Sequence, residues 1–411
     1  MGRAAKPPAA SAPPILVINA GSSSLKVALF DRLATIGSPA QAALRLEVSA
    51  LPTAPTLAVS DREGRRIEQR PAPEIKPGSF HSALDALLGR IEREGHDIGA
   101  IAAVGHRVVH GGEGFTDPTP IDAGVVAELK RLAHLAPHHM PPNIAGIEAI
   151  AERLPDVAQV ASFDTAFHAT QAPEAKRLSL PREYFTRGIR RYGFHGLSFE
   201  YLVAALPGLT REPLPQRIIA AHLGNGASVC AIENGRSVAT SMGYSTVDGL
   251  VMGTRSGAMD PGVLIELMRS DGLSAADLEN LLYNRSGLLG VSGISGDMQT
   301  LLNSPEPQAA EAVRFYCYWA ARHMASMMAA LKGCDAIVFT GGIGENAAPV
   351  RAAILERLAW VGVALDKRAN AAGRARISSG KSAVGAWIVR TDEAQIIAHQ
   401  TRAVVASADP L

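Results

Sequence analysis

Two histidines stand side by side between prolines in LAPHHMPP (135–142): His138 and His139 could scaffold a core, ligate a metal or touch a substrate. The metal reading fails, because neighbouring side chains rarely chelate one ion and no nearby cysteine or carboxylate completes a set. Arg107, in GHRVVHGGEGF, sits in an apolar strand where an unpaired cation is costly, so it requires an anionic partner. A structural aspartate and a substrate carboxylate both answer that need. Asp164, in SFDTAFH, poses the mirror-image question after its own apolar run, with helix capping as its plainest role. Arg255 stands on a long glycine-punctuated segment, SMGYSTVDGLVMGTRSGAMDPG (241–262), whose only other charges are Asp248 and Asp260. Such an arginine points either to solvent or to the charge that develops on a phosphoryl group in transfer.

Three glycine turns, NAGSSSLK (19–26), HLGNG (222–226) and GGIGEN (341–346), each directly follow an apolar strand. Glycine lets the main chain approach an anion closely, and consecutive N–H groups make a nest for phosphate oxygens. Ser22, Ser24 and Lys26 add hydroxyl donors and one cation. Any one of these is simply a turn; three in one chain point to a nucleotide. ARISSGKS (375–382) fits a looser phosphate-loop pattern, but a helix-like segment precedes it and a β-rich one follows. A phosphate loop needs the reverse order, so the match is accidental and Lys381 is expected in solvent.

The elements that must position these groups read as α/β. ILVINA (15–20), a turn and LKVALF (25–30) form a strand-turn-strand unit, and RIIAAHLGNGASVCAIENGRSV (217–238) repeats that grammar with a further hairpin at Asn234-Gly235. Two such units suggest a duplicated fold. Further strands are expected in 101–110, 157–167, 335–344 and 383–389, and helical periodicity marks 125–135, 311–332 and 350–362. Residues 50 to 80, rich in Pro, Glu and Arg, read as peripheral strands or loop.

At 411 residues the chain is too long for one ordinary core, so two domains or one duplicated architecture are expected. With 47% hydrophobic and 19% charged residues it is a folded globular chain, and disorder is excluded for most of it. A net charge of +1 leaves no broad footprint for nucleic acid or anionic membrane, which favours a small-molecule partner. Cys230, Cys317 and Cys334 lack metal-type spacing and lie in apolar stretches, as buried thiols of a reducing compartment do. Residues 1–14 carry no apolar signal region and read as an extended Pro/Ala-rich tail on a cytoplasmic protein.

INAGSSSLK, GHRVVHGGE, LAPHHMPPN, FDTAFHAT, RRYGFHG, HLGNGASVCAIENG, MGTRSGAMDPG, SGLLGVSGISGD, TGGIGEN and TDEAQIIA together, in order from about residue 15 to 403, resemble the acetokinase family, the acetate kinases and the related propionate kinases. The resemblance implies a duplicated ribonuclease H-like fold of the actin and sugar-kinase superfamily, an interdomain cleft and a homodimer. It divides the chain into residues 15–163 plus about 394–411 and a nucleotide-binding domain at 164–393. The implied activity is reversible transfer of the ATP γ-phosphoryl group to acetate, with propionate or another short carboxylate as the alternative acceptor. A nucleotide-gated clamp without acyl transfer is the alternative of another class, since a fold does not by itself determine function.

Carried over residue by residue, Asn19 and Glu393 match the positions associated with Mg²⁺, for which Mn²⁺ can stand in, and Lys26 matches a contact to ATP phosphate. Arg107 matches the substrate-carboxylate arginine, Asp164 the catalytic aspartate, and His195 and Arg255 the groups that stabilise the transition state. His222, Leu223, Gly224, Asn225 and Gly226 match nucleotide-contacting loops, as do Asp297, Met298 and Gln299 and then Gly342, Ile343, Gly344, Glu345 and Asn346. His139 matches a substrate-binding histidine, and Val109 and Phe194 keep the apolar character of the acyl pocket. Departures occur at His138, usually leucine, and Thr246, commonly proline. Polar walls there either alter acyl selectivity, or His138 turns to solvent and changes nothing. Met140 and Phe199 also depart, and Met298-Gln299 replaces an aromatic and an arginine, which bears on nucleotide preference.

Overall fold

The computed structural model describes residues 13–38 and 42–408. Residues 1–12 of the expected tail lie outside the described residues, whereas the carbonyl of Pro14 accepts from the Ala102 N–H at 2.9 Å. The chain divides into two units. The first holds the chain up to Gly111, Asp117–Phe163 and the segment from Glu393 onward; the second holds Gly112–Thr116 and Asp164–Asp392.

The first unit is built on strands β1 (Ile15–Ala20), β2 (Leu25–Phe30), β3 (Leu44–Ser49), β4 (Thr56–Ser60), β5 (Arg66–Pro71), β6 (Ala103–Val108), β7 (Thr119–Pro120) and β8 (Ala158–Phe163). They form one sheet in the order β5-β4-β3-β2-β1-β6-β8-β7. A continuous apolar run such as β1 is what a strand covered on both faces requires. Leu16 and Ile18 point into a cluster with Leu84, Leu87, Leu88 and Ile91 of the helix Phe80–Arg93, and with Ala149 and Ile150 of the helix Met140–Arg153. Val104 on β6 joins that cluster, so its neighbour Gly105 faces the other side. There the helix Glu393–Ala408 comes so close that a Cβ on Gly105 would lie 2.3 Å from Thr401 Oγ1 and 2.6 Å from Ile397 Cγ2. Residues 50 to 80 supply β4 and β5, the outer strands of this sheet, where Arg70 pairs with Glu68 and Glu74 and keeps the edge charged.

The second unit carries β9 (Arg217–Leu223), β10 (Ala227–Glu233), β11 (Arg236–Thr240), β12 (Ala336–Thr340) and β13 (Gly385–Ile388), in the order β11-β10-β9-β12-β13. β9 and β10, and β10 and β11, pair antiparallel, while β9 with β12 and β12 with β13 pair parallel. The same pattern joins β1, β2, β3, β6 and β8 in the first unit. The repeated strand-turn-strand grammar is therefore a true duplication of topology. Asn234 and Gly235 have φ of 51° and 78°, the two positive values that a type I′ hairpin turn demands.

The long helix runs Pro307–Leu331 and buries Tyr316, Cys317, Met324 and Met328 along one face. The expected helices at 125–135 and 350–362 are Ala123–Leu132 and Ala348–Arg357, each followed by a single 3-10 turn. Two expectations need correction. GGIGEN is not an open turn but a short helix, Gly341–Asn346, because β12 ends directly on Gly341 at φ 77° and the chain winds at once. Cys230 and Cys317 are buried, but Cys334, at the start of the chain's return to β12, is only half-buried. Lys381 is exposed, and β13 follows it, as the rejected phosphate-loop match required.

Candidate functional site

In the first unit, Asn19 and Arg107 lie on β1 and β6, parallel neighbours, and Glu393 opens the helix that packs against β6. Arg107 Nε stands 3.8 Å from Glu393 Oε2, and its Nη1 reaches Asn19 Oδ1 at 3.5 Å. Glu393 is thus one anion within ion-pair reach of Arg107, with both side chains 21% exposed. A carboxylate in the first turn of a helix is further favoured by the helix dipole. Asn19 Oδ1 and the Glu393 carboxylate are hard oxygen donors of the kind Mg²⁺ takes, with few protein ligands and the rest of its shell left to water and phosphate. Among the described residues no group of three or more His, Cys, Asp or Glu could hold a metal ion.

Val109 is buried, and its N–H donates to Asn143 Oδ1 at 2.9 Å, while Asn143 Nδ2 donates to the Ala20 carbonyl at 2.6 Å. Asn143 thus ties the ends of β1 and β6 together, a role that nothing in its sequence neighbourhood announced. His139 is half-buried and N-caps the helix Met140–Arg153; His138 is exposed. Ser22 is exposed and Ser24 half-buried in the turn closed by Gly21 N–H to the Ser24 carbonyl at 2.8 Å. Lys26 is exposed and pairs across β2 and β3 with Glu47 at 3.4 Å.

In the second unit, Asp164 is buried immediately after β8, and the short helix that follows takes Thr165 as its N-cap. Its carbonyl accepts from the Gly196 N–H at 2.8 Å. His195 N-caps the helix Gly196–Thr210 with φ 60° and ψ 23°, in the left-handed region. Its Nδ1 meets Ser228 Oγ at 2.8 Å, and its ring stacks on His222 with centroids 4.2 Å apart. Arg255 is anchored by Nη1 donating to the Thr246 carbonyl at 3.1 Å, and burial pulls its guanidinium below the usual arginine range. Thr246 and Phe194 are both buried.

The glycine loop between β9 and β10 brings these groups to one point. A Cβ on Gly226 would lie 3.4 Å from His195 Nε2 and 3.8 Å from Arg255 Nη1, and one on Gly224 would lie 3.9 Å from the Gly342 nitrogen. The Gly253 N–H donates to the Asn225 carbonyl at 3.0 Å, and Gly253 in turn approaches Gly296, next to Asp297. Leu223 is buried at the end of β9, and Gly342 and Asn346 are exposed, with Ile343 half-buried and Gly344 buried. Glu345 does not point its carboxylate outward: Oε1 accepts from Thr340 Oγ1, the Gly341 N–H and the Thr391 N–H. Asp297 Oδ1 accepts from the Thr300 N–H at 2.7 Å and so caps the helix Met298–Asn303. Within it Met298 is core and Gln299 exposed.

Residues missed in the sequence are Ser228, Ser198 and Thr391. Ser198 Oγ meets His222 Nδ1 at 2.8 Å and donates to Thr391 Oγ1 at 3.2 Å, so both stacked histidines are oriented by a serine. The signal for Ser228 was its place two residues beyond Gly226, on the strand that leaves the loop.

The Acetokinase family model matches residues 14–399. The chain belongs to the acetokinase family. Among its acetokinase relatives, the acetate kinase of Rhodopseudomonas palustris (strain TIE-1) is 45% identical over 391 residues, covering 94% of this chain and 96% of that one. The acetate kinase of Methylocella silvestris is 42% identical over 95% of this chain and 98% of its own. Among solved acetokinase structures, Porphyromonas gingivalis acetate kinase aligns with a TM-score of 0.85 and 35% identity, covering 96% of this chain and 100% of that one. A propionate kinase from Francisella tularensis aligns with a TM-score of 0.87 and 34% identity over 95% of this chain and 100% of its own. The duplicated sheet topology described above is therefore the acetokinase fold.

Proposed function

We infer that this acetokinase is an acetate kinase that reversibly transfers the γ-phosphoryl group of ATP to acetate, giving acetyl phosphate and ADP. The observation that carries the reading is the approach of His195 Nε2 and Arg255 Nη1 to the same glycine, Gly226, in the loop assigned to the nucleotide. A carboxylate oxygen attacks the γ-phosphorus, that P–O bond forms, the bond to the β-phosphate oxygen breaks, and ADP leaves with the electron pair. Acetate is already ionised at neutral pH, so no strong base is needed, and Asp164 serves to orient. Charge neutralisation and positioning are what such a transfer requires. Arg255 and His195 donate to the equatorial oxygens, and Arg107 binds the acyl carboxylate. Asn19 and Glu393 would hold Mg²⁺, which supplies neutralisation of phosphate charge when bound.

A propionate preference is the second reading, favoured by Thr246 in place of the common proline and by the fit to the Francisella enzyme. The protein is read as cytoplasmic and homodimeric. Three free cysteines support the first. The second is supported by the helix Pro261–Ser270, which buries none of its residues yet exposes Val263, Ile265 and Met268. No helix among the described residues is long and apolar enough to cross a membrane.

The deciding experiment is hydroxylamine trapping of acyl phosphate with MgATP and, in parallel, formate, acetate, propionate or butyrate. Hydroxamate strongest with acetate supports the assignment; a maximum with propionate supports the second reading. ATP hydrolysis without acid dependence would instead indicate a nucleotide-gated clamp.

A further inference from the structure

We propose that His168 is a positioning residue for His195, holding the peptide between Phe194 and His195 so that the His195 ring stays in its left-handed, loop-facing pose. The proposal rests on the reading of His195 as a group that stabilises the transferring phosphoryl. His195 has φ 60°, a backbone region that disfavours any side chain with a Cβ, so neighbouring contacts must hold it there.

Both flanks are held. On the C-terminal side the Gly196 N–H donates to the Asp164 carbonyl at 2.8 Å. On the N-terminal side His168 Nε2 lies 3.0 Å from the Phe194 carbonyl oxygen. A carbonyl only accepts, so Nε2 carries the proton and Nδ1 is the acceptor. Nδ1 lies 2.9 Å from Ser237 Oγ, which therefore donates to it, and Ser237 Oγ in turn accepts from Gln171 Nε2 at 2.9 Å. The chain Gln171, Ser237, His168, Phe194 is directional throughout and allows one tautomer. His168 is 1% exposed, and burial pushes its imidazole down to about 4, so the ring stays neutral and the tautomer is constant at working pH. The ring also lies against Gly193, where a Cβ would come within 2.6 Å of His168 Cδ2, so the backbone approaching His195 runs directly over the imidazole.

The variants separate positioning from packing. His168→Gln keeps an N–H at the distance of Nε2; His168→Asn places its amide at the level of Nδ1 and abandons Phe194. Misplacing a catalytic group by about 1 Å costs on the order of 10²-fold. The expected result is a fall of about that size in kcat for His168→Asn, with KM for acetate and MgATP changed by less than about threefold, and recovery of most of the activity in His168→Gln. In a His195→Ala background, His168→Asn should cost nothing further, because both changes remove the same interaction. Ser237→Ala, which keeps the ring and removes the hydroxyl that donates to its Nδ1, provides the same cycle if His168→Asn does not fold. Losses that add fully in the double variant, or a folded His168→Asn with unchanged kcat, overturn the proposal. A His195→Ala enzyme with undiminished acid-dependent activity overturns the site reading beneath it instead.

Discussion

Arg107 and Glu393, brought together from distant parts of the chain, share an ion pair at 3.8 Å, and the same guanidinium reaches Asn19. One arginine thus contacts both residues proposed to hold Mg²⁺. Glu393→Gln keeps the shape and removes the charge. It should raise the Mg²⁺ concentration needed for half-maximal activity by at least about tenfold while leaving the chain folded, as loss of one carboxylate ligand implies. Titrating activity with Mg²⁺ at saturating ATP checks this, and an unchanged midpoint would remove Glu393 from the metal site. Arg107→Lys should fail to restore acetate binding lost in Arg107→Ala, because the planar fork that pairs with a carboxylate is absent from lysine.

Gly226→Ala tests the point that His195 and Arg255, the groups proposed to stabilise the transferring phosphoryl, both approach. The added methyl would lie 3.4 Å from His195 Nε2, an ordinary contact, so melting should move little. It would nevertheless occupy space between the two groups proposed to receive a phosphoryl oxygen. A kcat reduced on the order of 10²-fold is expected, comparable to losing one donor to developing charge. Normal kcat in the folded variant would separate Gly226 from the path of transfer.

Acyl selectivity should follow Thr246 and not His138, since Thr246 is buried beside Arg255 and His138 is exposed. Thr246→Val removes the hydroxyl at nearly constant shape. It should shift the propionate-to-acetate ratio of kcat/KM by about 1 kcal/mol, within the range one methylene commands, whereas His138→Leu should leave it within about twofold. Competition assays with both acids decide it; a larger shift from His138→Leu would reverse the assignment.

Stability should fall on mild acidification. Burial pushes His106, His110 and His168 each down to about 4. In the unfolded chain they titrate near about 6.5, so between those values the unfolded state binds more protons. Their contribution is fully present above about pH 6.5 and is lost as pH falls toward 4, on the order of 1–3 kcal/mol each. Urea midpoints should therefore drop between about pH 7 and about pH 5, a range where ordinary carboxylates remain ionised. A flat profile would show that these rings take up protons in the fold as readily as in the unfolded chain.

Much was legible in the residues alone. Apolar runs and the glycine turns located β1, β2, β9, β10 and β12, because a doubly covered strand must be apolar throughout and a turn near an anion must lack Cβ atoms. The repeat of that grammar disclosed the duplication, and the ordered motifs disclosed the family. Side-chain orientation was not legible. Glu345 and Met298 sit in motifs that suggest ligand contact, yet Glu345 Oε1 is turned to backbone and threonine donors and the Met298 side chain is core. Asn143 and His168 carry no signal of their own, since a buried polar group gains its role from partners far away in sequence. Residue types and their order determined which chemistry this protein carries. Only the tertiary structure decided which side chain holds which, because hydrogen-bond direction and burial arise when distant segments pack.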